Sequence, residues 1–313
     1  MKLSILDQCP IFHRQTAKDA LYEALKLAQQ AEQLGYARYW VAEHHDLPGL
    51  ACPAPEVMLA FIGAHTSKIR IGAGAILLPH YKPYKVAELF NMLATLFPNR
   101  IDLGIGRAPG GSAEATNALS DRFLQQVWDM PKHITELLLY LDNEAYAEHD
   151  FSSLSASPVP EISPVPWLLG TSKKSAMLAA EKGLAYNFGL FMSDKDVQEC
   201  VELYKNRFRP RKEGEKRQLL LTVSVICAHT KAEAEGIAMR SLQFSSQKVD
   251  TSQKELEAKK ENMVIGDPVF VKEKLQKLVE QFQADEVMIV TNTDNPLDRL
   301  QSFQLLANEC FVN

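Results

Sequence analysis

The chain is short of cysteine, of long apolar runs and of excess positive charge. Its five cysteines (Cys9, Cys52, Cys200, Cys227 and Cys310) are odd in number and never spaced as CxxC. That pattern argues against a zinc ribbon or a disulfide framework and for reduced thiols in a cytoplasmic protein. No stretch approaches eighteen apolar residues, which excludes a transmembrane helix. The N-terminal MKLSILDQCPIFHR carries one Lys, an Asp inside its short apolar run and no small-residue cleavage signal. It reads as a first strand rather than an export peptide. Lys and Arg number 34 against 39 Asp and Glu, a formal charge of −5 with no basic stripe, so a general nucleic-acid binder fits poorly. Internal repeats beyond the βα unit are absent. What is present is 46% hydrophobic and 23% charged residues over 313 positions, enough for one or two sizeable cores and too apolar for disorder.

Short apolar runs alternate with longer amphipathic ones. Strands are predicted at 2–7, 37–45, 69–79, 100–106, 164–170, 184–191, 219–228 and 287–291. Helices are predicted over 17–34, 55–65, 83–96, 112–142, 172–182, 194–207, 268–283 and 297–310, with Gly35 and Gly183 as stops after the first and fifth. Eight strands alternating with helices predict an α/β fold, a (β/α)8 TIM barrel in one domain over 1–313. An open sheet of six or seven strands with a small subdomain is the alternative. Two irregular stretches, 143–163 and 244–265, read as insertions after strands 4 and 7. The second falls at a barrel's catalytic face, as either a mobile cover or a solvated excursion.

In a barrel, chemistry sits at the C-terminal strand ends. Strand 2 ends in Glu43-His44-His45-Asp46. That cluster admits three readings: an acid/base site in which Glu43 orients an imidazole, a two-histidine-one-carboxylate metal site, or a packed, hydrogen-bonded loop. Alternation of side chains along a strand counts against the metal. Gly72-x-Gly74 and Gly104-x-Gly106 each lack the third glycine of a dinucleotide fingerprint. They give room for a flat ring to lie on backbone, or relieve crowding in a tight barrel. Arg107, just past strand 4, needs an anion or solvent. Gly170-Thr171-Ser172-Lys173-Lys174-Ser175 opens a helix with free N–H groups and hydroxyls. The two together suit a phosphate monoester, although Ser172 alone reads as an ordinary helix cap. Leu77, Phe188, Phe191 and Met192 are candidates for an apolar wall and equally for core.

The segments WVAEHHD, IRIGAGAILLPHYKPYKVAELFNMLATLFPNRIDLGIGRAPGG, WLLGTSKKSAMLAAEKGLAYNFG and GDPVFVKEKLQKLVEQFQADEVMIVTN, in that order and spacing, resemble the bacterial-luciferase-like flavin monooxygenases. Within them the chain is similar to single-chain FMN-type members. The resemblance implies a (β/α)8 barrel and reduced FMN as co-substrate, with the deazaflavin F420 as alternative. It also implies O2, a separate flavin reductase, a small organic substrate and a homodimer. It places His44 as general base, with Glu43 and His45 as polar neighbours, His45 on the substrate side. Ala73-Gly74-Ala75 falls where such proteins often have a cis peptide under the flavin ring, and Gly106 lies beside it. Arg107, Gly170, Thr171, Ser172 and Ser175 match the phosphate site, and Arg122 matches a second phosphate arginine after a short gap. Gly106 stands where true luciferase has a cysteine, and the segment after strand 7 differs from the luciferase lid, so light emission is not expected.

Overall fold

The computed structural model describes residues 1–143, 154–193, 195–248 and 260–311. Much of both predicted insertions, including any cover built from 249–259, lies outside the described residues.

Strands β1 (Leu3–Asp7), β2 (Arg38–Val41), β3 (Arg70–Leu77), β4 (Ile101–Gly106), β5 (Val165–Gly170), β6 (Ala185–Gly189), β7 (Leu219–Cys227) and β9 (Glu286–Val290) are all parallel. They pair in sequence order, and β7 to β9 and β9 to β1 close the cylinder. A closed parallel sheet is covered on both faces, which is why β4 and β7 are buried at every position. Helices pack outside. The helix Ala17–Leu34 shows how locally these are specified. Thr16 and Asp19 form its capping box, and Gly35 ends it at φ 90°, a conformation that suits glycine.

Three elements depart from the sequence expectation. A short strand, β8 (Met263–Gly266), pairs with the second half of β7 inside the stretch expected to be irregular. The helix Lys231–Lys248 precedes it, where none was expected. The long helix expected over 112–142 is three: Ala113–Leu119, Phe123–Trp128 and Met130–Asp142. Extended backbone at Ser120 and a proline in the first turn after Met130 make the breaks. Strand 2 also ends at Val41, four residues before His45.

The inward-facing residues grade along the barrel axis. At the N-terminal end Arg38 lies between Asp102 (2.8 Å) and Glu286 (3.0 Å), and Arg70 binds the other Asp102 oxygen at 2.6 Å. Above this charged plug sits an apolar layer of Leu6, Trp40, Trp167, Leu220 and Met288, with the two indoles edge to face at 5.4 Å. Above that the inward side chains become small or polar: Ala42, Gly74, Gly106, Asn187 and Thr222. Filling stops there, and the C-terminal mouth is left open.

Candidate active site

The open end holds a cavity of about 430 Å³, within the range of small-molecule sites. Its walls come from the ends of β1 to β7 and from the short helix Phe123–Trp128.

The strand-2 cluster splits by side. His44 continues the inward face of β2 and lines the cavity, with its backbone N–H on the Cys52 carbonyl at 3.0 Å. Burial, and secondarily His45, push its pKa down to about 4, so the ring is neutral at ordinary pH. Its Nδ1 is buried with no hydrogen-bond partner among the described residues. Glu43 also borders the cavity, but its carboxylate turns to the loop behind. Its carboxylate accepts from His45 Nε2 (2.8 Å), the Tyr81 hydroxyl (2.9 Å) and the Leu77 N–H (3.0 Å). The expectation that Glu43 orients His44 is therefore corrected: alternation along the chain gives Glu43 to His45. Burial lifts the Glu43 carboxyl above its ordinary value, even though all three donors favour the ionised form. His45 does not line the cavity, contrary to its expected place on the substrate side. Its backbone N–H bonds the Gly110 carbonyl at 2.9 Å, and its ring stands edge-on to His80 at 5.7 Å. His80 in turn stacks on Phe123, a cavity residue. Glu43 and His45 thus brace the loop and helix that wall the mouth. Among the described residues, no three His, Cys, Asp or Glu side chains are grouped to hold a metal ion.

The anion site is assembled from β4 and β5. Arg107 is exposed, has no carboxylate partner among the described residues, and its Nη2 lies 3.4 Å from Ser172 Oγ. Ser172 caps the helix Lys173–Glu181 by accepting from the Ser175 N–H, so that helix begins beside Arg107. Gly170, Thr171 and Ser172 line the cavity; Ser175 does not. The Ser175 hydroxyl is buried, donates to the Ser172 carbonyl at 2.7 Å and lies 3.1 Å from the Tyr186 hydroxyl. It holds the turn from behind. Gly170 is what permits this, since a Cβ there would sit 2.4 Å from Ser175 Oγ. Arg122 is exposed at the start of the short helix and is not part of the cavity lining.

Between these two clusters lies open backbone. The Gly74–Ala75 peptide is cis, at a register shift between β3 and β4, and both residues line the cavity while Ala73 is buried behind them. At Gly106 a Cβ would come to 3.0 Å from that of Ala75. Gly72 has the other role anticipated for these glycines, because a Cβ there would meet Trp40 and Asp102 at 2.7 Å. Leu77, Phe191 and Met192 are wall residues; Phe188 is core.

Sequence reasoning missed Gln8, Asn187, Thr222, Phe123, Leu124 and Val127, all in the lining. Alternation from Leu6 to Gln8 and from Ala185 to Asn187 was the available signal for the polar ones. The apolar trio was hidden inside what read as one continuous helix.

Residues 1–286 match the luciferase-like monooxygenase family. YwcH of Bacillus subtilis is 39% identical, covering all of both chains, and the N-acetyl-S-alkylcysteine monooxygenase of the same organism is 35% identical over 98% of each. The crystal structure of apo-MsnO8 superposes with a TM-score of 0.88 at 34% identity, covering 100% of this chain and 98% of that one. Two more distant barrels share the fold. One is the oxygenating constituent of 3,6-diketocamphane monooxygenase from Pseudomonas putida, solved with FMN (TM-score 0.78, 20% identity, 99% and 97% covered). The other is an F420-dependent secondary alcohol dehydrogenase with an F420-acetone adduct (TM-score 0.70, 15%, 97% and 97%). This chain belongs to the luciferase-like monooxygenase family, and it is an oxidoreductase.

Proposed function

We propose that the chain oxygenates a small organic substrate with reduced FMN and O2, the flavin arriving from a separate reductase, in a cytoplasmic homodimer. The observation that carries this reading is Arg107, without a carboxylate partner among the described residues, beside the Ser172 helix start, at one side of a cavity bordered by glycine and small-residue backbone. A cation and free N–H groups together fit a phosphate monoester, and side-chain-free backbone fits a flat ring. When bound, the reduced flavin would supply the electrons that activate O2.

The chain's own residues then have separable tasks. Arg107, Thr171 and Ser172 hold the anionic tail. Gly74, Ala75 and Gly106 offer the ring an unobstructed surface. His44, neutral and with an Nδ1 that has no partner among the described residues, takes up or returns a proton at the reacting end of the cavity. Phe123, Leu124 and Val127 keep water from the mouth.

A dehydrogenase of the same fold was solved with an F420-acetone adduct, so the decisive test compares cofactors directly. Titration of the purified protein with FMN, riboflavin and F420 should give tightest binding to FMN. Arg107→Ala should weaken FMN about tenfold or more while leaving riboflavin unchanged. Equal weakening of both flavins would remove Arg107 from the phosphate site, and a preference for F420 would replace oxygenation by hydride transfer.

A further inference from the structure

Two thiols lie next to the cavity strands, and the oxygenase reading gives them no task. Cys9 follows β1, and Cys52 belongs to the irregular stretch between β2 and the helix Pro55–Ala64; both are buried. The two stretches run antiparallel about a bridge between Pro10 and Leu50. The Ala51 N–H bonds the Cys9 carbonyl at 2.9 Å, and the Ile11 N–H bonds the Gly49 carbonyl at 2.8 Å. That pairing sets Cys52 beside Cys9, and the Cys9 thiol donates a hydrogen bond to the Cys52 sulfur. The bond, together with burial and the Asp7 carboxylate, pushes the Cys9 thiol up, so it stays protonated.

The two residues differ in freedom and in access. Cys9 is pinned: its N–H is on Asp7 Oδ1 at 2.7 Å, and that carboxylate is held by Arg299 at 2.6 Å and by the Tyr39 hydroxyl, all three buried. Its φ of 52° is left-handed, an uncommon setting for a residue with a β-carbon. Cys52 borders a surface groove of about 540 Å³ between the helices Ala17–Leu34 and Pro55–Ala64, walled by Lys18, Tyr22, Val57 and Phe61. Its carbonyl accepts the His44 N–H at 3.0 Å. The residue whose thiol borders the groove therefore also holds the backbone of the cavity histidine.

We infer that Cys9 and Cys52 are a redox modification site, which hydrogen peroxide converts to a reversible disulfide that displaces His44. The Cys52 sulfur attacks peroxide from the groove side: an S–O bond forms, the O–O bond breaks, and water leaves a sulfenic acid behind. The Cys9 sulfur then attacks that sulfur. An S–S bond forms, the S–O bond breaks, and the Cys9 proton leaves with the hydroxide as a second water. The pair gives up two electrons, and one peroxide becomes two waters. Thiol–disulfide exchange with a small dithiol returns both electrons. Joining the sulfurs draws them from hydrogen-bond contact to about 2.05 Å. Cys9 is fixed through Asp7, so the shift falls on Cys52, and its carbonyl carries His44 with it. Burial and a protonated Cys9 make the pair slow to react, which sets it to answer sustained rather than trace peroxide. The inference rests on the oxygenase reading for the origin of the oxidant, since such an enzyme releases peroxide when no substrate takes the oxygen. The modification itself does not need that reading.

The test incubates the purified, reduced, flavin-free protein with hydrogen peroxide, alkylates the remaining thiols in denaturant and maps unreduced peptides by mass. The expected result is a peptide pair joining Cys9 to Cys52 and an intact chain lighter by two hydrogens, both reversed by dithiothreitol. In proton–nitrogen correlation spectra the His44 ring, assigned with His44→Gln, should shift on oxidation and return on reduction. Cys9→Ser and Cys52→Ser should each abolish the link and the His44 shift. One folded variant is enough, and the wild-type map needs neither. Both thiols still alkylated, Cys52 oxidised with no link, or a link to another cysteine would each overturn the site. A disulfide that leaves the His44 signals in place would overturn its coupling to the cavity. A protein that forms the disulfide yet binds no FMN would sink the oxygenase reading and leave the site standing.

Discussion

The imidazole of His44 is held neutral by its surroundings, and that has consequences for stability as well as for chemistry. In the unfolded chain a histidine takes up a proton near its ordinary 6.5; in the folded protein this one resists until about 4. Between those values the unfolded state binds more protons, so stability contributed by the neutral ring is complete above about 6.5 and is lost as pH falls toward about 4. His44→Gln, which cannot titrate, should narrow the difference in melting temperature between pH 7 and pH 5. An undiminished difference would mean that other groups carry the acid sensitivity. The companion His44→Ala should keep FMN affinity while oxygenation falls roughly a hundredfold, the usual size of a lost acid/base contribution. Turnover like wild type would take His44 out of the reaction. At this scale the sequence picks out the candidate residues but not their grouping. Glu43, His44 and His45 stand out together as letters, yet Glu43 and His44 line the cavity while the Glu43 carboxylate and the His45 ring bond each other beside the loop behind it. The strand ends at Val41 but its alternation carries on through these residues, and bonds to Leu77, Tyr81 and Gly110, far away in sequence, hold each on its side.

Among the elements, the turn from β5 into the helix Lys173–Glu181 does the most for the site. Ser172 caps the helix and faces Arg107, Ser175 locks the turn from inside, and Gly170 makes the space for Ser175. Gly170→Ala should therefore act on binding through geometry. Its Cβ would press on Ser175 Oγ and Cβ at 2.4 and 2.5 Å, which are buried behind the turn and cannot swing away. The expected result is a roughly tenfold loss of FMN affinity with a loss of stability of about 1–3 kcal/mol. Calorimetric titration and urea unfolding would measure the two. Unchanged FMN affinity in a destabilised variant would show that the turn's shape is unimportant to the anion. The main barrel elements were readable because parallel strands buried on both faces are continuous apolar runs, and their helices carry caps. What escaped lacks those marks. β8 is four residues, three of them only partly buried, and pairs with half a strand. The breaks around Ser120 and Pro131 divide a stretch that is amphipathic throughout, so its periodicity passes over them.

For the molecule as a whole, the barrel is stoppered at one end so that it can be open at the other. The stopper is ionic: Arg38 is buried between two carboxylates, and burial by itself would raise the Asp102 carboxyl. Arg38 and Arg70 outweigh that and bring it below its ordinary value. A carboxylate depressed in this way adds stability that is fully present above its unfolded value of 3.8 and is lost as pH falls through the lower folded one. Removing the shared cation should be far more damaging than removing a surface charge, because it leaves two buried carboxylates with only the more exposed Arg70 and Lys2 as counter-charges among the described residues. Arg38→Met keeps the stem that packs near Trp167, over which the guanidinium lies at 4.9 Å, and deletes only the charge and its hydrogen bonds. Urea unfolding near neutral pH should show a loss of about 3–5 kcal/mol. The gap to wild type should close in acid, where protonation of Asp102 removes the stranded charge. A gap of constant size across that range would mean that packing against the indole, rather than charge, is what Arg38 contributes. Because the layer of Leu6, Trp40, Trp167, Leu220 and Met288 separates stopper from cavity, the folded fraction of Arg38→Met should still bind FMN with wild-type affinity. A weakened affinity in that fraction would show that the two ends of the lumen are mechanically coupled.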